Sequence, residues 1–177
     1  MIGFWRDAGP KRWFKADPAF DTAIHERFAE LHERAAAAQL SSWEADALGA
    51  LALILVTDQF SRNLYRHSAL AFATDEMARN VADRALARGF DQATEPSLRF
   101  FFYMPFEHHE DPASQARGVT LFEKLAEETG DADNLKWARL HQELIARFGR
   151  FPHRNAVLGR LSTPEEASYL AQGGFAG

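Results

Sequence analysis

Of the chain's seven prolines, Pro18, Pro96, Pro112 and Pro164 each stand at the start of a hydrophobic pattern, directly behind an acid or hydroxyl residue. Proline fixes φ near the helical value and lacks only an N–H that the first turn leaves unbonded, while a short side-chain oxygen before it accepts from the next free amides. Start signals of this kind, spread along the whole length, commit the chain to a succession of helices. Asp17-Pro18 opens the first, in which Phe20, Ile24, Phe28, Leu31 and Ala35 recur at spacings of four and three to near Gln39. Ser41 with Glu44 has the spacing of a capping box and predicts a second helix carrying Trp43, Leu48 and the run Leu51 to Val56, apolar nearly all round and therefore central. Thr74-Asp75 opens a third, through Met77, Val81, Ala85 and Leu86 to Gly89.

Thr94, Glu95 and Pro96 begin an aromatic helix, Leu98 to Tyr103, that is expected to stop before Pro105. Asp111-Pro112 opens the next, ending at Gly130. Asp133 is expected to cap a helix in which Trp137, His141, Leu144, Ile145 and Phe148 share a face, closed by Gly149. Thr163, Pro164 and Glu166 read as a second capping box for a terminal helix ending at Gly173. No run alternates apolar and polar residues between turn signals, so no strand is expected. The pattern predicts an all-α fold, one domain over residues 1–177, built of packed antiparallel helical hairpins joined by short links.

At 177 residues the chain is long enough to bury a core without staples. It contains no cysteine, which removes thiol catalysis, disulfides and thiolate metal sites. A net charge of −5, with basic residues scattered among acids, argues against nucleic acid as a partner. The amino-terminal stretch MIGFWRDAGPKRWFK has no apolar core of the signal type, and the longest apolar run, Leu48 to Val56, is under half of the roughly 20 residues that cross a bilayer. The expectation is a cytoplasmic protein with no membrane partner.

Three polar clusters carry chemistry. The first is Asp58-Gln59-Phe60-Ser61-Arg62-Asn63, leaving the most apolar helix at its negative dipole end; Asp58 and Arg62 are placed to pair at i, i+4. The second is Glu107-His108-His109-Glu110-Asp111, five ionisable groups between two helices, in which Asp111 is already engaged as a cap and Glu107 is expected to reach solvent. The third is Arg147 through Asn155, where Gly149 and Phe151-Pro152 display Arg147, Arg150, His153 and Arg154 on a stiff connector. Guanidinium forks of this kind hold carboxylates or phosphates, and the same arginines equally suit a packed polar network with Asp58, Glu107 and Glu110. His141, on an apolar helical face, reads first as a core histidine. No phosphate loop, serine elbow or zinc-helix motif is present, and neither a metal nor another cofactor is expected.

The chain resembles the family catalogued as domain of unknown function 924. The carrying residues are Trp13-Phe14, Leu51 to Leu55, Asp58-Gln59-Phe60, Arg62-Asn63, Phe72 to Asp75, Pro105-Phe106, His108, Glu110-Asp111, Arg147 to Asn155, Leu158 to Arg160 and Ser162-Thr163. Ser61, where that pattern usually has Pro, and His109, in place of a small residue, depart from it. The resemblance implies a tetratricopeptide-like helical fold and brings no activity with it.

The first functional expectation is a pocket for a small anionic ligand or an acidic peptide end, formed where the three clusters converge: Asp58, Gln59, Arg62, Asn63, His108, Arg147, Arg150, His153 and Arg154, with Arg62, Arg147 and Arg150 leaving donors unpaired. The second is a hydrolase-type enzyme using His108 or His153 with Asp58 or Glu110. The third is an adaptor whose polar network is purely internal.

Overall fold

A computed structural model describes residues 1–177, and it is all helix and turn with no strand. By the density of their contacts the residues divide into two compact units, one of 1–66 with 70–95 and the other of 67–69 with 96–177.

In the first unit, two short helices that the start signals do not announce, α1 (Ile2–Ala8) and α2 (Pro10–Trp13), precede α3 (Pro18–Ala36). Trp5 is fully buried; its backbone carbonyl accepts the Trp13 indole N–H at 2.6 Å and its ring lies near parallel to that of Trp13. α3 starts as expected: the Asp17 carboxylate accepts the amides of Ala19 and Phe20, both at 3.1 Å, and Phe20, Ile24, Phe28 and Ala35 are buried along one stripe.

The second helix departs from expectation. Residues 41–45 form a tight 3₁₀ turn, and α4 (Ala47–Ile54) is capped instead by Asp46, whose side chain accepts Gly49 N–H at 2.8 Å. The cause lies at Gly49, where a Cβ would sit 1.9 Å from the Trp43 carbonyl oxygen: the turn folds back so closely on the helix start that a continuous helix is impossible. Beyond α4 the chain keeps winding, first through a wide π turn over Leu55–Phe60 and then α5 (Ser61–Leu64). Every residue from Ala50 to Ser61 is buried, whereas Leu48 is exposed. This segment packs on α3 and on α6 (Asp75–Ala87), which offers the small side chains Ala78, Ala82 and Ala85.

In the second unit the aromatic stretch is broken. α7 (Pro96–Arg99) passes into a 3₁₀ turn at Phe100–Phe102 and then α8 (Met104–Glu107). Pro105 therefore starts a helix rather than ending one, in a first turn where its missing N–H has no partner to lose. α9 (Pro112–Thr129) is capped by Asp111 and closed by left-handed Gly130 as predicted. α10 (Asp133–Phe148) ends at left-handed Gly149, but Asp133 is its first residue and not its cap; Asp131 accepts the Asp133 amide at 2.9 Å. α9 and α10 form a hairpin, and α8 packs on α9 at Gly118, where a Cβ would stand 3.4 Å from the Glu107 nitrogen. α11 (Pro164–Ala171) carries the predicted capping box in full, Thr163 and Glu166 each accepting the other's backbone amide.

Candidate functional site

Residues 58–63 belong to the first unit, and residues 107–111 and 147–155 to the second. Each unit has its own polar centre.

In the first unit the π turn exposes carbonyls to side chains. Thr57 O accepts the hydroxyls of Ser61 at 2.7 Å and Thr74 at 2.5 Å, and Asp58 O accepts an Arg62 N–H at 2.6 Å. Thr74 accordingly precedes α6 without capping it, because its hydroxyl is committed elsewhere. The Asp58 carboxylate is fully buried, 3.1 Å from Arg62 Nη1 and 2.6 Å from the Gln59 amide nitrogen. The predicted Asp58–Arg62 pair is present, and Asp75 joins it by gripping Arg62 with both oxygens at 2.9 and 3.1 Å. Asn63 donates to Asp21, which also takes a two-pronged hold from Arg66. Burial pushes the Asp21 carboxyl up, and those hydrogen bonds more than offset it, so that it stays below the usual aspartate value. Beside this network, His32, Tyr65, Leu70 and Thr74 line a shallow, largely apolar pocket of about 400 Å³. Burial lowers the pKa of His32, whose Nε2 meets the Ser61 hydroxyl at 2.9 Å.

In the second unit the 107–111 and 147–155 segments do come together. The Glu110 carboxylate accepts the Phe151 amide at 2.7 Å and two Arg160 N–H groups at 2.6 and 2.9 Å. Burial raises its pKa and these bonds pull it below the ordinary glutamate value. Glu110 thus anchors the connector. Arg150 grips Glu166 with two nitrogens, at 2.6 and 2.8 Å, and Arg147 pairs with exposed Glu165 at 2.8 Å. The Arg150 hydrogen bonds hold Glu166 down to about 2. Arg62, Arg147 and Arg150 therefore each meet a carboxylate that the sequence reading had not assigned to them: Asp75, Glu165 and Glu166. Each of these three arginines is engaged by at least one carboxylate, Arg147 through its Nε alone.

What remains is a knot of rings around His141. Glu107 is buried rather than solvent-reaching, and its Oε1 lies 3.0 Å from His141 Nδ1, which also faces the Trp137 carbonyl at 2.8 Å. Both partners are acceptors, so Nδ1 is a nitrogen that donates. Gln115 braces Glu107 from behind, its amide donating to the carbonyls of Glu107 and His109, both at 2.6 Å. The His108 ring lies 6.3 Å from that of His141, and Phe151 meets it edge-on at 5.2 Å. His153 flanks Phe151, and burial together with the charge of Arg154 takes its pKa down to about 3, so it is a neutral wall. Arg154 is itself buried, with its guanidinium over the Phe151 ring at 4.5 Å. The histidines do not converge as metal ligands do. The Glu107–His141 pair had no local signal, since the two lie on different helices, and Arg160, Asp75 and Glu166 likewise meet their partners only through packing of segments distant in sequence.

A model of a family described as a bacterial protein of unknown function, DUF924, matches residues 1–174. The chain belongs to this family. A solved structure of a protein of unknown function from Agrobacterium tumefaciens shares 46% sequence identity, with 97% of this chain and 94% of that one covered and a TM-score of 0.92. The search of curated proteins returned no match. Neither finding carries an activity to this member of DUF924, and no helix in it is long and apolar enough to cross a membrane.

Proposed function

We propose that the second unit holds a general acid–base site of hydrolase type, with His141 as the base. The observation that carries this reading is the buried Glu107–His141 pair, in which two acceptors at Nδ1 turn the Nε2 lone pair into the proton-accepting position. In this reading His141 Nε2 takes a proton from water as the water oxygen bonds to the substrate's carbonyl carbon or phosphorus. Glu107 then stabilises the imidazolium that forms, and the same proton passes to the leaving group as its bond to that centre breaks. His108 and neutral His153 shape the wall, and Arg154 supplies positive charge for the oxyanion. The anion-binding alternative loses its main support, because three of its arginines are occupied by carboxylates.

The test is a turnover screen of neutral esters, amides and phosphoesters against the wild type and His141→Gln. The expected result is at least one substrate hydrolysed at least 100-fold faster by the wild type, the range a positioned general base provides. Equal rates for the two proteins on every substrate would overturn the proposal.

A further inference from the structure

The half-buried ring of Phe175 is wedged into the same knot, 4.9 Å from the His141 ring, 5.1 Å from His153 and 6.0 Å from Trp137, edge-on to both histidines. Its backbone N–H donates to the Tyr169 hydroxyl at 2.8 Å. Gly174 lets the chain lie flat on Tyr169; a Cβ there would stand 2.4 Å from that ring. Two features thus define the slot: a flat apolar ring placed edge-on between two histidines with a tilted Trp137 beside it, and an amide N–H held by a phenol oxygen.

We propose that this slot is a subsite for a neutral ligand bearing an aryl group and a neighbouring amide N–H, of the N-acyl phenylalanyl type, and that Phe175 occupies it as a competing internal ligand. Four features support this. Trp137 is left more than half exposed beside the slot, although it lies at its edge. His153 remains neutral and so suits an uncharged ring. The ring is only half-buried, packed on the core cluster of Leu144, Ile145 and Phe151 and held at both histidines by edge contacts. The slot abuts His141, so the inference rests on the acid–base reading for its purpose, though not for its binding.

The experiment follows the His141 and His153 ring resonances while N-acetyl-L-phenylalaninamide is titrated into the wild type, Phe175→Ala and Gly174→Ala, with N-acetyl-L-alaninamide as the control probe. Gly174→Ala is included because it lifts the internal ring without deleting it. Both variants are expected to bind the phenylalanine probe at least tenfold more tightly than the wild type, with ring-current shifts at both histidines and no response to the alanine probe. Equal affinity in all three proteins, equal response to the two probes, or loss of the native His141 signal in both variants would overturn the proposal, the last by making Phe175 part of the core. Binding in Phe175→Ala combined with Glu107→Gln isolates this subsite from the chemistry: tight binding there, with no turnover anywhere, would retain the subsite and remove the acid–base reading.

Discussion

At the scale of single residues, the charges of this protein sort by burial. Arg150 is part-exposed while its partner Glu166 is buried and also serves Thr163 N–H and Asn155. Removing the arginine strands a carboxylate whose remaining donors do not neutralise it. Arg150→Ala is expected to lower the melting temperature by several degrees, and sulfate is not expected to raise that of the wild type; thermal unfolding with and without sulfate checks both. Arg160→Ala takes two donors from half-buried Glu110, and urea titration is expected to show a loss of about 1–3 kcal/mol. Sequence spacing found Asp58–Arg62 because four residues on a helix define a contact. It could not find Arg150–Glu166 or Glu107–His141, because those distances are set by how helices pack.

At the scale of elements, helix starts were legible wherever the signal was a cap followed by proline, as at Asp17, Asp111 and Thr163. They were misread where two caps competed. The caps Ser41 and Asp46 lie only five residues apart, and the tight approach of Gly49 to Trp43 accompanies the use of Asp46. Asp46→Ala is therefore expected to cost about 1 kcal/mol in urea unfolding, whereas Ser41→Ala changes stability by less than about 0.5 kcal/mol. The π turn at Leu55–Phe60 left no trace in the sequence. Its apolar residues satisfy an α-helix equally well, and what distinguishes it is the set of side-chain donors, Ser61, Thr74 and Arg62, brought to its carbonyls by tertiary packing.

At the scale of the whole molecule, two kinds of group lower stability in acid. Glu166, Glu110, Asp21, Asp17 and Asp111 have pKa values below their unfolded ones, so their stabilisation is present above about pH 4.5 and disappears as each is protonated, Glu166 at about 2. His153 begins to act earlier. Its pKa falls from 6.5 to about 3 on folding, so the unfolded chain binds the extra proton between those values and stability declines as pH drops below 6.5. His153→Gln removes this component. Between pH 7 and 4.5 the wild type is expected to lose on the order of 2 kcal/mol more than the variant, measured by urea titration at each pH.

The proton-transfer assignment stands on one pair, and a catalytic unit shows itself by non-additivity. The most direct measurement is turnover of the best substrate from the screen by the wild type, Glu107→Gln, His141→Gln and the double variant, each confirmed as folded by circular dichroism. The account predicts that His141→Gln slows turnover at least 100-fold and Glu107→Gln at least 30-fold, with the double variant no slower than His141→Gln alone. Effects that multiply in the double variant, or a Glu107→Gln enzyme as fast as the wild type, would contradict it.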